Sequence, residues 1–367
     1  MAKPALLLLH GMGKFTAPGK AAKGKTAHGS FGKEFIKAAT ESLQRYEKYQ
    51  SKSIEDFVEI HEFNYDAWFD KMRKEMANRS KAMKDRLDAV AGKYGVTFPL
   101  DLAGLLTSLE ADFGDDDFFH THWLDVIFYT TMLGAKVRVD AGIKIAELVT
   151  SHEQGNVHIM AHSLGTAVLH DTLHLLYRPE SDPEDQIRDL HPTNHKLGSI
   201  WMVANVSRLI NSFTQLANPM KSVVKPGDAG CTNFFFNVRH KMDPFTWLSR
   251  FDPVNNGAWV PESIYASAYK NIVTDLVVEG NTHSFTQYLN DPAVAEPFLH
   301  RLTPFEVTLT EMDKVREEYS KQSINGAFAV LEDSFHNLRV KEVGSWREFL
   351  DAGEALQVAA EKIKNGL

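Results

Sequence analysis

The sequence predicts an α/β protein with a mostly parallel central sheet flanked by helices. Short apolar runs, typical of strands buried on both faces, alternate along most of the chain with segments of helical spacing. The apolar run 4–9, the amphipathic segment 31–46 and the alternating segment 57–63 form a strand–helix–strand unit. Such a unit implies that its two strands pair in parallel.

Length and composition limit the class of protein. A chain of 367 residues with 43% hydrophobic content can bury a large core, as one big domain with insertions or two small ones. A formal net charge of −8 argues against non-specific nucleic-acid binding. The single cysteine, Cys231, excludes an intramolecular disulfide framework and suits a reducing compartment.

The beginning of the chain does not have the pattern of a signal peptide. Its apolar run 4–9 is too short for a signal-peptide core and continues directly into His10 and Gly11. No apolar run in the sequence approaches the length that spans a membrane. We therefore expect a cytoplasmic protein without integral membrane association.

The first strand opens into the loop His10-Gly11-Met12-Gly13. A strand that ends in His-Gly-x-Gly can offer a backbone N–H group to a developing oxyanion, and here the N–H of Met12 is the candidate. His10, Gly11 and Gly13 would support that loop. Taken alone, this stretch is better interpreted as an ordinary glycine-rich turn. Its interpretation as an oxyanion loop depends on the motif at Ser163.

A phosphate-binding pattern, G-x-x-x-x-G-K-[ST], occurs at residues 19–26. The pattern binds phosphate only between a buried strand and a helix, where successive N–H groups face the ligand. Here residues 16–18 separate it from the strand, and Gly29 and Gly32 lie where the helix should begin. Nucleotide hydrolysis is therefore a minor alternative. The lysines of this loop could instead attract an anionic substrate, and a solvated loop is the simplest interpretation.

Residues 67–122 interrupt the alternation of strands and helices. A Met-rich helix is predicted over 68–90 and a second over 100–109. At the ligand-binding edge of an α/β sheet this insertion could act as a lid or acyl-binding cap, and a structural helical hairpin is an equal alternative. The acidic, histidine-containing run 112–122 lacks a recognised metal-ligand spacing. We therefore predict no metal site.

The stretch Ala161-His162-Ser163-Leu164-Gly165 follows the β-prone run 157–160 and precedes a segment, 166–177, with helical spacing. A strand, a serine in a tight turn between small residues, and a helix are the signature of a nucleophile elbow. This geometry would aim the N–H group of Leu164, at a helix N-terminus, towards an oxyanion. Gly165 supplies the small residue that the turn needs, and His162 is the variable position within it.

A serine hydroxyl needs a base, and an imidazole oriented by a carboxylate serves best. Asp243 follows a predicted strand, and His283 follows the last one, so Ser163, Asp243 and His283 occur in the order serine, acid, histidine. Asp252 is the rival acid, although it lies farther from a strand end. His240 precedes Asp243, so it does not fit the order serine, acid, histidine. The predicted strands beyond the elbow are 200–206, 233–238 and 272–278, with a loop-rich stretch at 207–230.

The chain divides into a core, an insertion and an extension. We predict a core over 1–66 and 123–302, an insertion over 67–122, and a C-terminal helical extension over 303–367. Three charged helices with apolar stripes are predicted in the extension, over 308–322, 325–338 and 345–364. They could form a homo-oligomer interface or dock a protein partner, but packing onto their own domain is the default expectation.

These motifs resemble the α/β-hydrolase superfamily, specifically its serine lipase and esterase branch. The resemblance rests on His10–Gly13, on Ala161–Gly165, and on the placement of Asp243 and His283. It implies an α/β-hydrolase fold and two-step acyl transfer at Ser163, with the N–H groups of Met12 and Leu164 as the oxyanion hole. No metal or organic cofactor is needed, and the expected substrate is a small ester with an apolar acyl group.

The sequence departs from the family at Ala161, where glycine is usual, and in its helical extension. A thioesterase or acyltransferase would use the same catalytic residues and remains the nearest alternative. A non-catalytic scaffold whose C-terminal helices bind a protein is a further one.

Overall fold

The computed structural model describes residues 2–11, 15–17, 27–75, 78, 125–178, 189–255, 259–278 and 281–323. Several predictions concern residues outside these ranges. They are Met12 and Gly13, the phosphate-binding pattern 19–26, most of the insertion, the acidic run 112–122, and the helices 325–338 and 345–364. The division into core, insertion and extension stays a prediction.

Within the described ranges, six strands form one sheet in the order β2-β1-β3-β4-β5-β6, and every neighbouring pair is parallel. The predicted α/β class and parallel sheet are therefore confirmed. The strands are β1 Ala5–Leu9, β2 Glu59–Phe63, β3 Val157–His162, β4 Leu197–Val203, β5 Thr232–His240 and β6 Tyr269–Thr274.

The central strands are buried on both faces. Every residue of β1, β3 and β4 is buried, which explains why β1 is a continuous apolar run rather than an alternating one. The edge strand β2 is instead partly exposed, and its sequence alternates. Burial on both faces thus accounts for the strand patterns that the sequence displays.

Helices cover both faces of the sheet. The longer α-helical segments of the described residues are α1 Ser30–Gln44, α2 at 66–75, α3 Gly134–Ser151, α4 Leu164–Tyr177, α5 Ser207–Thr214, α6 Glu262–Ala268, α7 Phe285–Asn290, α8 Pro292–Leu302 and α9 Leu309–Ser320. A π-helical turn, Tyr129–Leu133, precedes α3. Buried residues of α3 and α4 belong to one hydrophobic core, and those of α1, α7 and α8 to another.

The strand order reverses beside the serine. From β1 the chain moves to β2 on one side, whereas β3 pairs with the other side of β1 and leads on to β4. Right-handed crossovers in opposite directions put the connecting helices on opposite faces, as α1 and α4 are. Ligands of open α/β sheets bind at such a reversal, outside the carboxyl ends of the strands. Gly11 follows β1 there, and Ser163 follows β3.

Two expected strands were displaced, and the expectation for the stretch that follows β4 was also wrong. β4 begins and ends before the predicted 200–206, and β6 begins and ends before the predicted 272–278. Lys270 and Asn271 are exposed on this edge strand, so hydropathy shifted the prediction towards the more apolar residues that follow. The stretch 207–230, expected to be loop-rich, contains α5, whose buried face is only Ser207, Leu209 and Ile210.

The first helix of the predicted C-terminal extension packs onto the core. Met312, Val315 and Tyr319 of α9 are buried, and the first two belong to the same hydrophobic core as α1. The Arg316 guanidinium also pairs with Glu296 of α8. The apolar stripe of α9 is therefore covered by its own chain. Among the described residues, none of the helices combines the length and apolar character that crossing a lipid bilayer requires.

Candidate active site

Ser163 occupies a strained turn between β3 and α4. Its φ of 53° and ψ of −127° lie outside the regions that L-residues favour. The strain is held by hydrogen bonds, because the Ser163 N–H donates to the Val203 carbonyl at 3.0 Å. The Thr166 N–H and hydroxyl both donate to the Ser163 carbonyl, at 2.8 and 2.6 Å. The backbone thus presents the hydroxyl at the carboxyl edge of the sheet.

Two glycines allow neighbouring backbone to approach this turn. A Cβ atom at Gly11 would lie 2.7 Å from the Cβ of Ser163, so the loop after β1 passes directly against the serine. A Cβ atom at Gly165 would lie 2.4 Å from the His10 carbonyl oxygen. Any larger residue at either position would push the first loop away from the turn.

His10 fixes the start of that loop. The Tyr65 N–H donates to Nε2 of His10 at 3.3 Å, so Nδ1 carries the proton and donates to the Gly11 carbonyl at 2.7 Å. The Tyr65 hydroxyl donates to the His10 carbonyl, and the two rings stack with centroids 4.1 Å apart. Complete burial lowers the pKa of His10 to about 4, so the ring is neutral at pH 7.

His283 lies within hydrogen-bond reach of the serine. Its Nε2 is 2.9 Å from the Ser163 hydroxyl oxygen, although the two residues are far apart in the chain. The loop that carries His283 is tied to the loop after β5, because the Thr282 hydroxyl donates to the Met242 carbonyl at 2.8 Å. The His283 N–H donates to the Asn281 side chain. The loop that carries the imidazole is therefore held by one bond to the neighbouring loop and one bond within itself.

Asp243 completes the chain of contacts. Its Oδ2 lies 2.8 Å from Nδ1 of His283, and the carboxylate is fully buried. Its Oδ1 accepts the Phe245 N–H at 3.0 Å, which is an N-cap bond of the short turn Pro244–Thr246. The rival acid Asp252 instead accepts both the backbone and the side-chain N–H of Asn255.

Rings pack around the imidazole of His283. The ring of Phe245 lies 4.4 Å from it between centroids, and the ring of His162 lies 4.9 Å away. Nε2 of His162 also donates to the His283 carbonyl at 2.9 Å. The side chain before the serine therefore holds the loop that carries the histidine. The sequence marks His162 only as the variable position of the turn and carries no signal for this contact.

A second contact that the sequence did not suggest involves Tyr288 of α7. Its hydroxyl donates to Oδ2 of Asp243 at 2.6 Å, and it accepts the His240 N–H at 3.0 Å. The only signal in the sequence is an aromatic-rich helix start after His283. His240 itself lies at the end of β5, and its imidazole points to the Leu276 carbonyl rather than to the serine.

One of the predicted oxyanion donors, Leu164, lies within the described residues. Leu164 is the first residue of α4, where backbone N–H groups have no acceptor within the helix, and the helix dipole favours negative charge. Its N–H group is thus available next to the serine hydroxyl. Met12 and Gly13, the other predicted contributors, lie outside the described residues.

The arrangement has the polarity that nucleophilic catalysis requires. With Nδ1 of His283 donating to Asp243, Nε2 is left to accept the proton of the Ser163 hydroxyl. Within the described part of the chain, no cluster of three or more histidine, cysteine or acidic side chains could hold a metal ion. At one point of the sheet edge, the described side chains thus bring together a hydroxyl and an imidazole that could accept its proton.

Comparisons of the chain with protein-family models, with curated proteins and with solved structures find no match.

Proposed function

We propose that the chain is a serine hydrolase that cleaves carboxylic esters through an acyl-enzyme intermediate. The observation that best supports this proposal is the continuous line of hydrogen bonds from Ser163 through His283 to Asp243. Ser163 has a positive φ and lies between a parallel strand and a helix, which is the geometry of a nucleophile elbow. The parallel sheet and this turn also favour the α/β-hydrolase fold.

In the first step the Ser163 oxygen attacks the ester carbonyl carbon. Nε2 of His283 accepts the hydroxyl proton, and Asp243 stabilises the imidazolium without taking the proton itself. The carbonyl oxygen becomes an oxyanion next to the N–H groups of Leu164 and, in the proposal, Met12. Each such donor contributes about 3 kcal/mol to lowering the barrier. His283 then protonates the departing alkoxide, which leaves as an alcohol.

In the second step a water molecule replaces the alcohol. His283 removes its proton as the water oxygen attacks the acyl carbon, and a second tetrahedral oxyanion forms at the same donors. The bond to the Ser163 oxygen then breaks, and the serine regains its proton from His283. The products are a carboxylic acid and the free enzyme.

The substrate proposal is a small ester with an apolar acyl group. It rests on the Met-rich composition of residues 67–122, since methionine side chains form adaptable apolar surfaces. The cytoplasmic location is likewise proposed from composition, and the lone Cys231 is a buried free thiol. Burial raises the pKa of this thiol to about 12, so it is not a competing nucleophile at pH 7.

A series of p-nitrophenyl esters of increasing chain length tests the activity and the acyl preference together. We expect hydrolysis by the wild type and loss of essentially all of it in Ser163→Ala. Ser151→Ala, at the exposed end of α3, is the matched control and should retain activity. Hydrolysis that persists in Ser163→Ala would overturn the proposal. Parallel assays with thioesters, and with an added alcohol acceptor, distinguish an esterase from a thioesterase or an acyltransferase.

A further inference from the structure

Tyr288 is completely buried, and its hydroxyl makes two hydrogen bonds of known direction. The backbone N–H of His240 can only donate, so the Tyr288 oxygen accepts from it at 3.0 Å. The hydroxyl proton is therefore left to point at Oδ2 of Asp243, 2.6 Å away. The carboxylate cannot donate in its ionised form, which fixes the direction of the second bond as well.

The oxygen that Tyr288 contacts is the one that also accepts from His283. Oδ2 of Asp243 lies 2.8 Å from Nδ1 of His283, whereas Oδ1 accepts the Phe245 N–H. Burial first, and then the charge of Asp243, raises the pKa of Tyr288 well above its ordinary value. The hydroxyl therefore keeps its proton throughout the pH range of an assay and remains a donor.

We infer that Tyr288 is a positioning residue for the reaction, acting through Asp243 by sharing its Oδ2 with His283. This inference rests on the proposed function. The hydroxyl stabilises the negative charge of a fully buried carboxylate. It also lowers the ability of Oδ2 to attract the Nδ1 proton, so it limits how tightly the His283–Asp243 pair holds an additional proton.

The position of α7 explains why the Tyr288 hydroxyl reaches Asp243. His162 lies against the rings of Phe285 and Tyr288, with centroids 5.5 and 6.3 Å away, and it also bonds the His283 carbonyl. Residues 283–288 are therefore held against the turn at Ser163. One short segment thus supplies both the imidazole and the hydroxyl that meet at Asp243.

The other ionisable groups around Tyr288 limit the interpretation of a pH profile. His162 faces the His283 loop from β3, and the His240 ring lies 6.3 Å from the Tyr288 ring. Burial lowers the pKa of His240, which favours the neutral form of its imidazole. The charge of Arg239 acts on Tyr288 from β5, and Lys241 and Asp275 act on His240. Changing Tyr288 to phenylalanine leaves these side chains in the sequence, but it removes the acceptor of the His240 N–H.

The test compares Tyr288→Phe with Tyr49→Phe. Tyr49 is a close control, because its hydroxyl also donates to one oxygen, the Pro304 carbonyl, and accepts one backbone N–H, that of Glu306. In ester hydrolysis we expect kcat to fall about tenfold in Tyr288→Phe, with KM within about twofold of wild type. The acid limb of the profile of kcat against pH should move up by about half a pH unit. Tyr49→Phe should change neither quantity.

Replacing Tyr288 by a ring-fluorinated tyrosine provides a second measurement that keeps the hydroxyl. A fluorinated phenol is a stronger donor, so the acid limb should move down rather than up. Opposite shifts in the two variants are the signature of the positioning role. Loss of thermal stability with an unmoved acid limb in both variants would overturn the inference. If Ser163→Ala retained the wild-type activity, the proposed function itself would fail, whatever the Tyr288 variants did.

Discussion

Nε2 of His162 donates to the carbonyl oxygen of His283 across 2.9 Å, so the residue before the serine is bonded to the residue that would act as its base. The two rings also pack, with centroids 4.9 Å apart. A strand end and a distant loop are thereby fixed to one another at the point where Ser163 and His283 must meet. Alignment of these two side chains depends on this link as well as on their own hydrogen bond.

Replacing His162 by phenylalanine should slow the reaction without unfolding the protein. The ring contact with His283 would remain, but the bond to its carbonyl, worth about 1 kcal/mol, would be lost. We expect kcat to fall about tenfold and KM to stay within about twofold, because the base would be less well oriented. His152→Phe, away from the serine at the end of α3, is the control. An unchanged kcat in His162→Phe would mean that the link does not position the base.

Gly11→Ala should be far more damaging to activity than to stability. The added Cβ would lie 2.7 Å from the Cβ of Ser163, so the loop or the serine must move. A displacement of about 1 Å can cost about 100-fold in rate, and we expect a loss of that order in kcat/KM.

Gly155→Ala serves as the comparison for the Gly11 variant. Gly155 has a φ of +80° and precedes β3 at the opposite end from Ser163. Alanine there should cost about 1 kcal/mol of unfolding free energy and leave kcat unchanged. Denaturant unfolding and ester hydrolysis should be measured on both variants. Gly11→Ala should mainly lose activity, and Gly155→Ala should mainly lose unfolding free energy. Equal effects of the two variants on kcat would contradict the placement of the first loop against the serine.

The two candidate acids can be separated by paired substitutions. Asp243 contacts Nδ1 of His283, whereas Asp252 bonds to Asn255 near the surface. An asparagine at 243 would favour the wrong tautomer of the imidazole, and a loss of about 10⁴-fold in kcat is expected. Asp252→Asn should retain activity within about twofold. The reverse ranking of the two variants would transfer the acid's role to Asp252.

Burial of His158 makes the folded state sensitive to acid. Burial and then the charge of Arg301 lower the pKa of His158 to about 4, from an unfolded value of 6.5. Between these values the unfolded chain binds more protons than the folded one, so stability falls as the pH falls. The difference of about 2.5 pH units corresponds to about 3 kcal/mol, fully lost below pH 4.

His158→Gln should remove this contribution while leaving the others in place. We expect the variant's unfolding free energy to fall about 3 kcal/mol less than that of the wild type between pH 7 and pH 4, measured by denaturant unfolding. The acid-dependent terms of His10, Asp66 and Asp291 are common to both proteins and cancel in the difference. Parallel pH curves for the two proteins would show that His158 is not buried as described.

Local pattern was enough to predict the central strands and the turn at Ser163. A buried strand needs an apolar run, which residues 157–160 supply, and a tight turn needs small residues, which flank the serine. The polar edge strand β6 was displaced in the prediction, because Lys270 and Asn271 do not have the hydropathy of a buried strand. Where solvent covers one side of a strand, hydropathy no longer marks its ends.

The long-range contacts of the candidate site could not all be predicted from the sequence. Chain order and proximity to a strand end favoured Asp243 over Asp252, and the structure places Asp243 against His283. Nothing in the sequence links His162 to the His283 carbonyl, or Tyr288 to Asp243, because each pair meets only after the sheet and α7 have assembled. Such contacts follow from packing rather than from motif spacing.

The nucleophilic role of Ser163 can be measured without knowing the substrate. A fluorophosphonate reacts with an activated serine, and peptide mass spectrometry locates the phosphonyl adduct. We expect one adduct, on the peptide that contains Ser163, and none in Ser163→Ala or in His283→Ala, which lacks the base. An adduct at another residue, or ester hydrolysis by a protein in which Ser163 stays unlabelled, would contradict the proposed mechanism.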